Sequence, residues 1–311
     1  MKLRRVAILA LAVSACGSPS RPTLPDRFPS PTPEPTIPVI AAAGDISCAP
    51  NSRAACRQMD TALAVEYAAP DVVLALGDTQ YEQGELFNYN RMYHPSWGRF
   101  KAKTRPVVGN HEYETPFAEG YFDYFNGPNQ LTGPAGDRRR GYYSFHLGAW
   151  NLIALNSNCR EVGGCGPGSP QDLFLRQTLA LSDARCTLAY MHHPLFSSGV
   201  NRGSPEIRPL WQTLYDFGAD VVLNGHEHVY ERFEPQTPQG VPDHERGILQ
   251  ITVGNGGHSL TPFREILRTS DLRNNDDFGV LRLELHPEFV TWEFIPGPGG
   301  TFNDSGTFKC H

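Results

Sequence analysis

Apolar runs rich in β-branched residues recur along the chain, and a polar turn that often contains glycine follows each of them. Such near-continuous hydrophobicity is typical of strands that are buried on both faces. The runs are IPVIAAAGD, PDVVLALGD, RPVVGNHE, WNLIALNS, CTLAYMHHP, ADVVLNGHEH and ILQITVGNGG. Nearer the C-terminus, GVLRLELHPEFVTWEFI alternates more strictly, which predicts antiparallel strands with one solvated face.

Helical patterns lie between several of these runs. In SPQDLFLRQTLAL, Ser169 is a candidate N-cap, Pro170 takes the first helical position, and Asp172 follows the cap by three residues, as in a capping box. SPEIRPLWQTLYDFG has the same Ser-Pro opening and stops at Gly218. Alternating strands and helices predict a layered α/β fold with the helices outside.

The first residues have the features of an export signal. Lys2, Arg4 and Arg5 form a basic head, and residues 6–13 form an apolar core that is too short to span a bilayer. The segment ends in VSAC, which resembles the lipobox of bacterial lipoproteins and predicts that Cys16 carries lipid after cleavage. The alternative is an ordinary cleaved signal with a spare cysteine.

We expect three parts along the chain: a signal peptide at 1–15, a Pro-rich linker at 16–37 and one folded domain at 38–311. The linker has few apolar groups to bury and should be an extended tether. The protein is then exported. It is either lipid-anchored at the outer face of the bacterial cytoplasmic membrane, with the anchor as its only membrane contact, or periplasmic or secreted.

Six cysteines remain beyond Cys16, and none of them forms a C-x-x-C pair, which argues against zinc held by thiolates. An even number in an exported chain indicates disulfides. Six cysteines allow 15 connectivities. The simplest pairs the neighbours in sequence and leaves the last two together: Cys48–Cys56, Cys159–Cys165 and Cys186–Cys310.

The formal charge is −6, and it becomes −9 when the three basic residues of the signal are removed. No basic run is long enough to suggest a nucleic-acid groove. A phosphate-bearing substrate must therefore be held by a local positive centre, which metal ions would supply.

Side chains that can bind metal follow five of the predicted strands. They are Asp45, Asp78 with Tyr81, Asn110 with His111, His192 with His193, and His226 with His228. Ligands bind at the carboxyl ends of strands in open α/β sheets. Oxygen donors and imidazole suit iron and zinc, and two ions about 3.5–4 Å apart can clamp a phosphoryl group. The pattern therefore predicts a pair of metal ions.

The blocks GDIS, GDTQY, GNHE, MHHP and GHEHVYER, in this order, resemble those of the calcineurin-like metallophosphoesterases, and most of all those of the purple acid phosphatases. The match runs from about Ala42 to Arg232, and VGNGG at 253–257 resembles a later glycine turn of the family. The resemblance implies a four-layer α/β/β/α sandwich with two mixed β-sheets and a dinuclear metal site at strand ends. It also implies a phosphomonoesterase that acts on a small phosphorylated substrate through a metal-bound hydroxide.

The ligands that the resemblance implies fall into two sets. A first ion, Fe(III), would be bound by Asp45, Asp78, Tyr81 and His228. A second, divalent ion (iron, zinc or manganese) would be bound by Asp78, Asn110, His192 and His226. Asp78 would bridge the two ions, since a carboxylate can bind one ion with each oxygen. His111 would lie near the leaving group and protonate it or donate a hydrogen bond to it.

The sequence departs from the family pattern at two places. Generic members have Asp-x-His in the first block, whereas Ser47 stands here, and Tyr81 is where the purple acid phosphatases place a substitute ligand. The alternative is that Tyr81 is a packed aromatic residue. Plant and animal members carry a further acid-site histidine after the HxP block. PLFSSGVNR has none, so His193 is a candidate to replace it or to orient substrate.

Further interpretations concern residues around the blocks and the function itself. His258, beside the glycine turn, is a candidate for lining the substrate pocket, and Glu231 with Arg232 is interpreted as a buried ion pair. A phosphodiesterase or nucleotidase on the same scaffold is the nearest alternative function. A metal-binding surface lipoprotein without turnover, or a structural exported domain, is another. The sequence carries no indication of an oligomeric state.

Overall fold

The computed structural model describes residues 36–311. The predicted signal peptide, the lipidation site Cys16 and residues 16–35 of the predicted linker lie outside the described residues. The strands are β1 (Val39–Ala43), β2 (Val72–Ala75), β3 (Tyr143–Leu147), β4 (Trp150–Ala154), β5 (Cys186–Tyr190), β6 (Val221–Asn224), β7 (Tyr230–Phe233), β8 (Leu249–Val253), β9 (Ser270–Asn274), β10 (Gly279–Leu285), β11 (Phe289–Pro296) and β12 (Ser305–Lys309). The α-helices are α1 (Gln58–Ala68), α2 (Leu86–Asn88), α3 (Glu119–Phe125), α4 (Pro170–Leu181) and α5 (Arg208–Asp216).

The strands form two mixed sheets, as predicted. The first has the order β12-β11-β10-β1-β2, and the second has the order β3-β4-β5-β6-β8-β7-β9. In the first sheet only β1 and β2 are parallel. In the second, β4, β5, β6 and β8 run parallel, with antiparallel strands at both edges. Strands β10 and β11, which alternate in sequence, pair antiparallel as expected.

Strands of the second sheet bury alternate residues in two different cores. In β5, Leu188 and Tyr190 belong to the larger core with side chains of the first sheet, whereas Ala189 belongs to a smaller core. The smaller core includes Leu175 of α4 and Trp211 of α5. Burial on both faces accounts for the near-continuous hydrophobicity of these runs. Helix α1 packs on the first sheet, so the four layers are α, β, β and α.

Helix α4 begins as predicted. The Ser169 hydroxyl accepts a hydrogen bond of 3.2 Å from the Asp172 N–H, and Pro170 is the first helical residue. The second Ser-Pro opening differs, because Pro205–Ile207 forms a 3₁₀ turn and α5 begins only at Arg208. Gly218 follows the end of α5 with a positive φ of 70°, which is the backbone that glycine provides after a helix.

Two sequence predictions need correction. RPVVGNHE was predicted to be a strand, but it forms none. Its Arg105 and Val107 N–H groups donate hydrogen bonds to β2 carbonyls, and the preceding residue, Thr104, forms an isolated bridge with Val73. Arg232 does not pair with its neighbour Glu231. Adjacent residues of a strand point to opposite faces, and Arg232 of β7 contacts Asp304 at 2.8 Å and Asp271 instead.

All three expected disulfides are formed: Cys48–Cys56, Cys159–Cys165 and Cys186–Cys310. They indicate an exported protein, since disulfides persist in oxidising compartments. Within residues 36–311, no helix combines the length and the apolarity needed to cross a membrane.

The Cys186–Cys310 disulfide ties β5 to the segment after β12 across 124 residues of sequence. We expect the variant Cys186→Ala/Cys310→Ala to lose about 3–5 kcal/mol of unfolding free energy, because opening so long a loop frees much unfolded-state entropy. Urea unfolding followed by circular dichroism measures the loss. The matched control is Cys159→Ala/Cys165→Ala, with a separation of only 6 residues, which should lose about 2 kcal/mol less. Equal losses would contradict the entropic explanation.

Candidate metal centre

The predicted metal ligands lie where parallel strands of the two sheets end. Asp45 comes two residues after β1, and Asp78 comes three residues after β2. In the second sheet, His192 and His226 each come two residues after the end of their strands, β5 and β6. Because the two sheets face each other, their carboxyl ends bring these four side chains into one site.

The first ligand set is centred on the phenol of Tyr81. Its Oη atom lies 2.7 Å from Asp45 Oδ1, 3.1 Å from Asp78 Oδ2 and 3.0 Å from His228 Nε2. His228 Nε2 is 3.3 Å from Asp45 Oδ1. Ligand atoms that each bind one ion at about 2.1 Å are separated by about 3 Å. These four atoms could therefore surround one metal ion.

The second ligand set is centred on the imidazole of His192. Its Nε2 atom lies 3.1 Å from Asn110 Oδ1, 3.2 Å from Asp78 Oδ2 and 3.2 Å from His226 Nδ1. These separations are again those expected around a single ion. One amide, one carboxylate and two imidazoles suit a divalent transition metal.

Asp78 belongs to both sets through the same atom, Oδ2. The sequence interpretation assumed that each carboxylate oxygen would face a different ion, and here the structure differs. Oδ1 instead accepts a 2.9 Å hydrogen bond from the backbone N–H of His111. Asp45, Asp78 and His192 are buried, and their ligand atoms lie within 4.8 Å of one another. The donor set thus fits a pair of cations that share Asp78.

Contacts behind the ligands fix the orientation of the histidine rings. His192 Nδ1 lies 2.9 Å from the carbonyl oxygen of Leu76, and His228 Nδ1 lies 2.7 Å from Ser259 Oγ. Each contact occupies Nδ1 and leaves Nε2 directed into the ligand set. The rings are therefore held ready to bind metal by their surroundings.

The pKa values of the site show how strongly its groups interact. Burial raises the pKa of the Tyr81 phenol well above its usual value, and the Asp45 and Asp78 carboxylates raise it further. Burial lowers the pKa of His192, but Asp78 outweighs this effect and brings the pKa to about 9. The carboxylates therefore favour positive charge at this position, and bound cations would supply it.

Three of the predicted metal ligands have left-handed backbone. Asp45, Asp78 and His226 have φ angles of 58°, 46° and 71°, which costs about 1–3 kcal/mol for each non-glycine residue. Each follows a glycine in the sequence. A Cβ atom added to Gly77 would lie only 2.6 Å from His192 Nδ1. The absence of a side chain at Gly77 thus lets the loop of Asp78 approach His192 closely. Backbone strain of this kind clusters at functional sites.

The candidate catalytic histidines lie beside the two sets. His111 Nε2 is 4.0 Å from Asp78 Oδ2, and its side chain is 29% exposed. His193 is partly buried, with its ring centroid 4.3 Å from that of His226 and its Nδ1 2.8 Å from Ser157 Oγ. Both rings are therefore within reach of a ligand that enters the site.

His258, the candidate for lining the substrate pocket, stacks on Tyr81 with ring centroids 3.8 Å apart. Its Nδ1 atom lies 3.0 Å from Ser259 Oγ, the hydroxyl that also contacts His228. The structure thus places His258 against the first ligand set.

Sequence reasoning assigned no role to Glu112, which is fully buried below the ligands. Its carboxylate accepts hydrogen bonds from the backbone N–H groups of Asp78 (2.9 Å), Thr79 (2.8 Å) and Gly109 (2.7 Å), and from the Tyr89 hydroxyl (3.0 Å). Its position as the last residue of the GNHE block was the available signal. Ser259 was missed as well, because a lone serine carries no pattern.

A layered α/β/β/α fold with carboxylate, amide, phenol and imidazole donors at its strand ends defines the class of dinuclear metallohydrolases. Residues 38–230 match the family model described as calcineurin-like phosphoesterase. The chain belongs to this family, and the predicted relationship is confirmed.

The chain is similar to purple acid phosphatases. Purple acid phosphatase 15 of Arabidopsis thaliana is 26% identical over 288 residues, covering 78% of this chain and 50% of that protein. Probable inactive purple acid phosphatase 24 of the same plant is 24% identical, covering 68% of this chain and 38% of that protein. The chain spans about half the length or less of these relatives.

A purple acid phosphatase from yellow lupin (Lupinus luteus) seeds has a similar solved structure. Its TM-score is 0.69 at 21% identity, with 88% of this chain and 54% of that chain covered. The similarity confirms the predicted fold.

Proposed function

We propose that this protein is a phosphomonoesterase of the purple acid phosphatase type. The observation that carries the proposal is the shared position of Asp78 Oδ2, which lies about 3 Å from a member of each ligand set. A single carboxylate atom between two donor sets can bridge a pair of closely spaced ions. Small phosphorylated compounds are the substrate class that the family membership supports.

The residues of the chain have separate tasks in this proposal. When bound, the two ions would neutralise the phosphoryl oxygens and lower the pKa of the attacking water. His111, partly exposed beside Asp78, donates a hydrogen bond or a proton to the leaving oxygen. His193, whose Nδ1 is held by Ser157, directs its other nitrogen to the substrate phosphate. His258 orders the Tyr81 ring by stacking.

We further propose Fe(III) at the Tyr81 set and a divalent iron, zinc or manganese ion at the Asn110 set. A phenolate is a hard ligand that stabilises a trivalent ion, and it ionises only if a strong positive charge offsets the raised pKa of Tyr81. The export signal at 1–15 and lipidation of Cys16 complete the proposal. Mass spectrometry of the membrane fraction would detect acylated Cys16, and an unmodified secreted chain would refute it.

Elemental analysis, a visible spectrum and ester hydrolysis test the function on purified protein. We expect two metals per chain, a charge-transfer band, and faster turnover of a phosphate monoester than of a diester. In Tyr81→Phe the band should vanish, and the iron content should fall more than that of the second metal, because only the first set loses a donor. Tyr67→Phe, which changes a tyrosine that is 80% exposed on α1, is the matched control.

Other outcomes distinguish the alternatives. Faster turnover of the diester would favour a phosphodiesterase on this scaffold. Two bound metals with no turnover of either ester would favour a metal-binding surface protein. One similar protein is itself named a probable inactive purple acid phosphatase. A band that survives in Tyr81→Phe would refute the assignment of the iron ligand.

A further inference from the structure

Two adjoining cavities lead away from the second ligand set. The first, of about 370 Å³, is lined by Asn110 and His193 and extends to Glu161. The second, of about 530 Å³, also reaches Glu161 and continues to Phe117. Together they form what we call the leaving-group groove. A group attached to a phosphate at the metal centre can extend along it.

The groove is acidic next to the metal centre. Glu114, Glu161 and Glu206 line the first cavity, and Arg160 is the basic side chain among them. None of these four side chains makes an ion pair with another described residue. The basic residues of the second cavity, Arg138 and Arg139, are each paired with an aspartate. Because like charges repel over this range, the part of the groove next to the metal centre disfavours further phosphates and admits an uncharged leaving group.

Phe117 stands at the far end of the groove in a strained loop. Its side chain is 84% exposed, whereas the next residue, Ala118, is fully buried. Both have left-handed backbone, with φ angles of 56° and 52°. Two consecutive non-glycine residues in this conformation cost about 1–3 kcal/mol each and persist only if their surroundings impose them.

The surroundings do impose this conformation. The Ala118 N–H donates a 3.0 Å hydrogen bond to the Thr115 carbonyl. On the other side, Gly120 packs so closely that an added Cβ would lie 2.1 Å from the Gly84 carbonyl oxygen. The loop is therefore fixed at both ends, and the phenyl ring is held out of the core at the groove.

We propose that Phe117 determines substrate specificity by stacking on a flat, uncharged aromatic leaving group that lies in the groove. This inference rests on the proposed phosphomonoesterase function and names its substrate class. The aromatic group can be a nucleobase or a simple aryl ring, since both present the π-face that a phenyl ring binds. Arg139, with a side chain that is 71% exposed, lines the same cavity and offers a second flat surface.

The test compares three monoesters: a nucleoside monophosphate, phenyl phosphate and glycerol phosphate. In Phe117→Ala we expect kcat/KM to fall about five- to 150-fold for the aromatic ester that is recognised, the range expected from loss of one stacking partner. The kcat/KM for glycerol phosphate should stay within about twofold. Phe117→Tyr should restore the aromatic activity. The control Tyr67→Ala, at an exposed aromatic residue on α1, should leave kcat/KM for all three esters unchanged. Whether the nucleotide or the phenyl ester is affected more identifies the source of the ring.

Equilibrium dialysis with adenosine and with phenol adds a readout that does not depend on turnover. The Kd of the recognised compound should rise at least about fivefold in Phe117→Ala. If no ester is hydrolysed but binding still depends on Phe117, the proposed function is wrong and the groove assignment stands. Equal effects of Phe117→Ala on all three esters, or no effect on rates and binding, would overturn the assignment.

Discussion

Replacement of Asp78 by asparagine is expected to remove both metal ions and to lower kcat/KM for a phosphate monoester by at least about a thousandfold, or about 4 kcal/mol of transition-state stabilisation. The reason is that Asp78 Oδ2 faces Tyr81 Oη and His192 Nε2 at once. An amide carries no charge to offset two cations. With its oxygen in the Oδ1 place, the amide presents its N–H₂ group, which cannot bind a metal ion, to both donor sets.

Metal content, kinetics and circular dichroism on the same sample test this expectation. The oxygen of the substituted amide can still accept from the His111 N–H, as Asp78 Oδ1 does at 2.9 Å, so the fold should persist. Asp183→Asn, at an exposed loop carboxylate, is the matched control and should keep both metals and full activity. An Asp78→Asn protein that also kept them would show that the bridging position is assigned wrongly.

The convergence at the metal centre was predictable because it depends on local features. Each ligand directly follows a hydrophobic run, and parallel strands end at the same edge of a sheet. Asp45 and His226 could therefore be placed together although 181 residues separate them. Export and nearness in sequence predicted two of the disulfides, and Cys186–Cys310 was the pair that remained. These inferences need strand direction, but they do not need the order of strands in a sheet.

Features that depend on distant partners were not predictable from the sequence. β10 inserts next to β1, although more than 230 residues lie between them. Arg232 finds its partner in Asp304, 72 residues away, instead of the adjacent Glu231. Ser259 contacts His228 through a turn that has no periodic pattern. Each of these contacts is selected by tertiary packing, which local patterns do not encode.

Glu112 is a buried carboxylate that supports the predicted metal ligands from behind. Burial raises the pKa of its carboxyl, and the Asp78 carboxylate raises it further, whereas the Gly109 N–H and the neighbouring hydrogen bonds lower it. Its two oxygens accept hydrogen bonds from backbone N–H groups of the loop that carries Asp78 and from the N–H group of Gly109, the residue before Asn110. Glu112 therefore joins the loop of Asp78 to the loop of Asn110, two of the predicted metal ligands.

We expect Glu112→Gln to lower the unfolding free energy by about 2–4 kcal/mol and the metal affinity by about 10- to 100-fold. A glutamine keeps only one oxygen. Its N–H₂ group must then face other N–H donors, which are those of Asp78 and Gly109 in one orientation and that of Thr79 in the other. Urea unfolding in the presence of chelator gives the first quantity, and metal titration gives the second. Glu66→Gln, which changes a carboxylate that is 62% exposed, should alter stability by less than about 1 kcal/mol. Unchanged metal affinity in Glu112→Gln would mean that the ligand loops are positioned by other contacts.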